Sequence, residues 1–219
     1  MDFPRFSQQQ IRSIQFGALG FGLGLSLAVA APIAFRHQIT SFSTSLAVGT
    51  ALYALAGAIG GAMLGLAGGS RQPVWVLALA GGLGCGLGFL LTTYAITYFV
   101  YDRFSGGLVS TLAMTIQFGL VGASTGAWLG AAQRSWRPVA WLTVAGAVGF
   151  GLYYSTLEGL DRLRLSIDAV VPRVMGEPTH DLITLTLAFA FWGALGGIVV
   201  GACLGLAHAL LYPGQSRQA

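Results

Sequence analysis

Six stretches of this chain run for 19 to 30 residues without a single Asp, Glu, Lys or Arg. About 20 apolar residues in a helix cross the ~30 Å hydrocarbon core of a bilayer. In lipid, every backbone N–H and C=O must be satisfied within the protein, so such stretches fold as helices. The predicted spans are Phe16–Phe35, Leu46–Ala67, Val74–Val100, Leu108–Ala132, Val139–Leu157 and Leu182–Leu211. We therefore predict an all-α integral membrane protein with six transmembrane helices.

The composition agrees with this prediction. Of the 219 residues, 55% are hydrophobic and only 8% are charged, whereas soluble domains carry about 25% charged residues. The net charge of +4 is the difference between eleven basic and seven acidic residues, and the basic residues, all arginine, lie singly between apolar spans. Because they form no continuous basic face, we exclude nucleic acid as a partner and expect the lipid bilayer instead.

The pattern Gly-Ala-x-x-Gly-x-x-x-Gly occurs three times. The copies are "GAIGGAMLG" at 57–65, "GASTGAWLG" at 122–130 and "GALGGIVVG" at 193–201. The first two belong to a longer match, because residues 57–87 align with residues 122–152 without a gap and 16 of 31 residues are identical. Glycine richness alone would not also align Pro73 with Pro138. We interpret this match as an internal duplication.

A second pattern, Gly-x-x-Gly-x-Gly-Leu, occurs at 17–23, 81–87 and 146–152, in the first, third and fifth spans. The two patterns together predict three tandem helical hairpins that enter the membrane in the same direction, and hence a pseudo-threefold bundle. The predicted organisation is an amino-terminal segment at 1–15, hairpins at 16–73, 74–138 and 139–213, and a tail at 214–219.

Glycines spaced by three or four residues share one face of a helix and leave a strip without side chains. Such strips let helices approach closely in lipid, through dispersion and weak Cα–H···O contacts of about 0.5–1 kcal/mol each. The predicted helix-packing residues are Gly57, Gly61, Gly65, Gly122, Gly126, Gly130, Gly193, Gly197, Gly201, Gly17, Gly20, Gly81, Gly84, Gly146 and Gly149.

Six spans place both termini on one side of the membrane. That side receives six of the eleven arginines, so the positive-inside rule favours cytoplasmic termini. A second interpretation exists, because Arg5 and Arg12 precede an apolar run that ends in "LAVAAP", as in a cleaved signal peptide. The repeat favours a retained first helix, since that helix supplies the first member of the first hairpin.

The connection after the fifth span is the only long one. Leu160, Leu163 and Ile167 recur at three and four residues among charged neighbours. This spacing predicts an amphipathic helix at about 157–171 that lies on the outer membrane surface. A partner-docking element, or a cap over a central opening, is the alternative interpretation.

The sequence contains no nucleophile–base set, no metal-ligand spacing and no phosphate-binding glycine loop. His37 and His180 fall in loops, and His208 falls near the end of the sixth span, where we expect the membrane interface. Cys85 and Cys203 lie in glycine-rich apolar runs, as small packing residues do. We predict that the protein is not an enzyme and has no cofactor and no metal.

Uncharged polar residues are the remaining candidates for a site. The possible polar lining consists of Gln117, Ser124, Thr125, Thr93 and Thr97. Serine and threonine in helices ordinarily bond to carbonyls of their own helix. Gln117 is the most costly of the five to expose to lipid, so we expect its amide to bond to another helix.

Two functions fit these features. The first is a non-catalytic structural or accessory subunit, or a homo-oligomeric scaffold, that acts through glycine-groove helix packing. Its expected partners are other membrane subunits or further copies of the chain. The alternative is a small channel or transporter for a neutral or weakly polar solute. The absence of charged residues inside the spans counts against it, because charged intramembrane groups are typical of ion and proton pathways.

Overall fold

The computed structural model describes residues 7–34, 41–67, 72–98, 107–162 and 182–211. These residues form six helices and contain no β-strand. The helices are α1 (Gln8–Ala34), α2 (Phe42–Leu66), α3 (Val74–Ile96), α4 (Gly107–Ala132), α5 (Trp136–Arg162) and α6 (Leu182–Leu211).

Local capping fixes where the first two helices begin. Ser7 and Gln10 form a reciprocal capping box, in which the Ser7 amide donates to Gln10 Oε1 at 2.8 Å and the Gln10 amide donates to Ser7 Oγ at 3.3 Å. This cap starts α1 eight residues before the predicted span. The hydroxyl of Ser41 caps α2 by accepting a hydrogen bond from the Thr44 amide at 3.2 Å.

The fifth helix is longer than the sequence predicts. It begins at Trp136, three residues before the expected start, and continues as one helix to Arg162. Pro138 is tolerated because it lies in the first turn, where backbone amides have no partner in the helix. The first residues of the predicted surface helix at 157–171 therefore belong to α5, and the rest of it lies outside the described residues.

Five of the six helices are long and apolar enough to cross a membrane: α1, α2, α3, α4 from Thr111, and α6 from Phe189. They are consistent with a multi-pass membrane protein. The fifth helix, α5, has the required length but is the least apolar of the six, with charged residues near both ends. Its membrane crossing stays a prediction.

Each helix packs mainly against two others, and the contacts close into the circuit α1–α2–α3–α4–α5–α6–α1. Neighbouring helices run antiparallel, because residues farther along one helix contact residues farther back on the next. At Gly20 and Gly24 of α1, an added Cβ would meet Gly60 and Ala56 of α2, respectively. The start of α1 and the end of α6 thus lie at the same end of the bundle as the α2–α3 and α4–α5 connections. We call this the terminal end.

One cluster of side chains fills the space enclosed by the helices. All six helices contribute to it. Its fully buried members include Phe21, Leu25, Leu64, Leu77, Cys85, Val121, Leu129, Leu142, Phe150, Val200 and Leu204. The rings of Phe21 and Phe150 meet edge to face across the bundle, with centroids 6.5 Å apart. Leucines, by contrast, dominate the exposed outer surface.

Candidate functional site

The glycine strips of the even-numbered helices face particular neighbours. On α2, a Cβ added to Gly57 or Gly61 would collide with the carbonyl oxygen of Gly81 or Leu77 on α3. The same relation joins α4 to α5: Gly122 and Gly126 face the carbonyls of Gly146 and Leu142, and Gly130 faces Val139. On α6, Gly193, Gly197 and Gly201 face the carbonyls of Leu25, Phe21 and Gly17 on α1. We call α2–α3, α4–α5 and α6–α1 the close pairs.

The remaining three contacts use glycines of the odd-numbered helices. A Cβ on Gly84 of α3 would lie 2.7 Å from the Cα of Thr125 on α4. A Cβ on Gly149 of α5 would lie 3.0 Å from the Cα of Val200 on α6. All fifteen glycines predicted for helix packing have an atom of a neighbouring helix within 3.0 Å of an added Cβ. These glycines therefore pack within the chain and do not form a surface that faces lipid.

The sixth helix is shifted relative to the sequence pattern. Gly81 faces Gly57 in one close pair and Gly146 faces Gly122 in the next, but Gly17 faces Gly201 in the third. The pattern aligns Gly193, not Gly201, with Gly57 and Gly122. A fourth glycine, Gly205, extends the strip and faces the carbonyl of Ser13. The strip offers glycines at four successive turns, so the sequence pattern did not fix which of them faces Gly17.

Of the five polar residues predicted to line a site, Gln117 and Thr93 are brought together by a hydrogen bond. Gln117 is 5% exposed, and its Nε2 donates to Thr93 Oγ1 at 2.7 Å, which joins α4 to α3. Thr125 is fully buried, and its hydroxyl donates to a carbonyl of its own helix, that of Val121, at 2.8 Å. Ser124 lies two helical turns from Gln117 and packs against Gly88 of α3. Thr97 lies at the end of α3 and is half-buried.

An aromatic cluster that the sequence did not predict surrounds Phe118, the residue after Gln117. The ring of Phe118 is 6.2 Å from Tyr53, 5.9 Å from Tyr153 and 5.3 Å from Tyr154. Tyr53 also stacks on Phe89 at 4.3 Å. The five rings come from α2, α3, α4 and α5, so no periodicity within one helix could have grouped them. Tyr53 and Tyr153 are buried, so these two members of the cluster belong to the core of the bundle.

A second polar region lies at the terminal end, between α1 and α6. Ser13 and His208 are each 2% exposed. Nearby, Gln10 Nε2 donates to the carbonyl of Ala209 at 3.5 Å, which ties the start of α1 to the end of α6. The sequence predicts His208 at the membrane interface because it is near a helix end, and this depth stays a prediction; its side chain is buried within the bundle. Position along a helix does not reveal which face of that helix is covered.

The described residues contain no group of three or more His, Cys, Asp or Glu that could hold a metal ion. Both cysteines are free thiols; Cys85 is buried in the core, and Cys203 is half-buried on α6.

The fold and these contacts define an all-helical bundle with five candidate membrane spans, which is consistent with a multi-pass membrane protein. Neither a protein-family model, nor a curated protein, nor a solved structure matches this chain.

Proposed function

We propose that the chain is a pseudo-threefold bundle built from three copies of a two-helix unit. The close pairs support this proposal, since three antiparallel pairs use glycines of an even-numbered helix against carbonyls of an odd-numbered one. The two-helix unit of this proposal is the close pair, which occurs three times as α2–α3, α4–α5 and α6–α1. The predicted hairpins at 16–73, 74–138 and 139–213 divide the chain differently, because each hairpin joins one helix from each of two close pairs. The third unit is then formed by the two ends of the chain.

For this bundle we propose a non-catalytic role, as a structural or accessory membrane subunit or as a homo-oligomeric scaffold. The observation that carries the proposal is the filled interior: Phe21, Phe150, Val121, Val200 and Leu204 are all fully buried in one core cluster. A core of interlocked side chains resists opening, because interiors are close-packed and any path for a solute would require several of them to move together.

The glycines support a rigid bundle and do not supply the surface for partners. Every predicted packing glycine is covered by a helix of the same chain. Contacts with other subunits would therefore use the outer leucine and aromatic side chains. In this proposal the glycine grooves hold the helices of one chain together, and they do not associate one subunit with another.

The alternative proposal, a small channel or transporter for a neutral or weakly polar solute, has one observation in its favour. The Gln117–Thr93 hydrogen bond is partly buried and joins α4 to α3, and Gln117 precedes Phe118 of the aromatic cluster. A solute with hydrogen-bonding groups could replace that bond. The Gln117 amide would then contact the solute, and Tyr53 would flank the path.

A flux experiment distinguishes the two proposals. The purified protein is reconstituted into liposomes, and glycerol and urea permeation is followed by stopped-flow light scattering. The structural role predicts the same rates as in protein-free liposomes. A protein-dependent flux that is lost in Gln117→Leu, but kept in the lipid-facing control Ile116→Leu, would contradict the structural role and support the transport role.

A second experiment tests the structural role directly. Native mass spectrometry from mild detergent should show either more than one copy of the chain or a membrane partner in fixed stoichiometry. A lone monomer under conditions that keep known complexes intact would contradict it. We also propose cytoplasmic termini, and reporter fusions at both ends would measure this orientation.

A further inference from the structure

Four of the five tryptophans lie near the terminal end. Trp75 is the second residue of α3, Trp128 lies near the end of α4, and Trp136 and Trp141 lie in the first turns of α5. All four are exposed, Trp136 to 76%. The fifth, Trp192, lies well inside α6. Tryptophan is enriched where a membrane protein meets the headgroups, because its ring is apolar and its N–H is polar.

Exposed arginines accompany these tryptophans. Arg134 lies in the turn between α4 and α5, and Arg137 is the second residue of α5. The first turn of α5 adds the positive end of a 27-residue helix. The sequence contains no Asp or Glu from 103 to 157, so no carboxylate of this segment competes for the guanidinium groups.

The backbone of Arg134 adopts an unfavourable conformation. Its φ is 56°, in the left-handed region, and it is the only described residue other than glycine with a positive φ. Helices commonly end with glycine in this conformation, which is sterically unfavourable for residues with a Cβ. The internal duplication aligns Arg134 with Gly69. Arginine therefore replaces the favoured residue in the copy that also has Trp136 and Arg137.

We propose that the α4–α5 turn is a binding site for the phosphate of an anionic phospholipid. Arg134 and Arg137 bind the headgroup phosphate, and the first amides of α5 add to the positive field. Trp136 and Trp141 lie beside the glycerol and upper acyl region of the same lipid layer. The proposal does not depend on the function proposed above, since it concerns the lipid-facing surface and not the core.

The first test measures the melting temperature in detergent with added phosphatidylglycerol or phosphatidylcholine. At a lipid concentration about 100 times Kd, phosphatidylglycerol should raise the wild-type Tm by roughly 5–10 °C above phosphatidylcholine. In Arg134→Gly with Arg137→Gln this difference should disappear. Arg134→Gly relieves the backbone conformation, so the variant should fold at least as stably in phosphatidylcholine, and a loss of lipid response cannot be attributed to misfolding.

Arg12→Gln is the matched control, because it removes one exposed arginine from α1 at the same end. It should keep the phosphatidylglycerol response. Inorganic phosphate alone should give no shift, which distinguishes a lipid from a free anion. An equal response in the wild type and the Arg134/Arg137 variant, or an equal effect of phosphatidylcholine, would overturn the proposal.

The second test measures depth with brominated lipids. Two variants keep a single tryptophan, Trp136 or Trp192, with the others changed to Phe. Trp136 should be quenched most by bromines near the headgroups, and Trp192 by bromines deep in the acyl chains. Equal quenching of both by the deep bromines would refute the interfacial placement of the turn.

Discussion

Replacing Gly84 by alanine tests the helix packing at a single methyl group. The added Cβ would lie 2.7 Å from the Cα of Thr125 and 2.9 Å from the carbonyl oxygen of Ser124 on α4. Ordinary contacts of a Cβ begin at 3.4 Å. The two helices must therefore separate by several tenths of an ångström, and backbone atoms cannot turn aside as the end of a side chain can. Gly151 of α5 is the matched control, because a Cβ there meets nothing within 4 Å.

The two substitutions make the same chemical change in the interior of a helix. Each gains about 1 kcal/mol from replacing glycine by alanine in a helix, so this gain cancels when they are compared. Overpacking costs about 1–3 kcal/mol. Gly84→Ala should therefore be less stable than Gly151→Ala by that amount. At 2–4 °C per kcal/mol for a chain of this length, the difference in Tm is roughly 2–12 °C.

Thermal unfolding in one detergent, followed by the fluorescence of a thiol dye or by circular dichroism, measures this difference. Gly84→Leu should widen it, because a larger side chain requires a larger separation of α3 and α4. If Gly84→Ala and Gly151→Ala melt at the same temperature, the close approach of α3 and α4 does not exist and the packing argument is wrong.

Three further predictions concern the core and its polar residues. Phe21→Ala should destabilise the protein by about 3–5 kcal/mol because Phe21 is fully buried, whereas Leu23→Ala, 60% exposed two residues away, should change stability by less than about 0.5 kcal/mol in the same melts. Thr125→Val should cost at most about 1 kcal/mol, since the lost hydroxyl donates to a carbonyl of its own helix. A double-mutant cycle of Gln117→Leu and Thr93→Val should give a coupling of about 0.6 kcal/mol, and no more than about 1.7 kcal/mol; additive effects would mean that the two side chains do not interact.

Some features of the fold depend on consecutive residues, and others depend on contacts between distant parts of the chain. Hydropathy and helix length are properties of consecutive residues, so the sequence by itself determined the helical class and most of the span positions. The differences occur at helix ends. Ser7 starts α1 early through its capping box, and α5 includes the first residues, 157–162, of the stretch where a separate surface helix was expected. A cap is a short-range signal, but it extends a helix beyond the apolar residues that mark the span.

The candidate site depended more on tertiary structure. The sequence identified Gln117 as the polar residue most in need of a partner, but Thr93 as that partner lies 24 residues away on another helix. The aromatic cluster around Phe118 and the burial of His208 had no signal in the spacing of residues along a single helix. Both arise because helices that are distant in sequence lie side by side.

The glycine strips show most clearly which features the sequence determines and which depend on tertiary structure. Sequence alone determined which face of each helix has no side chains, because glycines at intervals of four return to one face. It could not determine the alignment of α6 with α1, since sliding a strip by one turn brings another glycine to the same carbonyl. Only the complete set of contacts places Gly201 opposite Gly17 and Gly205 opposite Ser13. Because the glycines are evenly spaced, several alignments of α6 with α1 are compatible with the sequence. The packing of both helices against the rest of the bundle selects one of them.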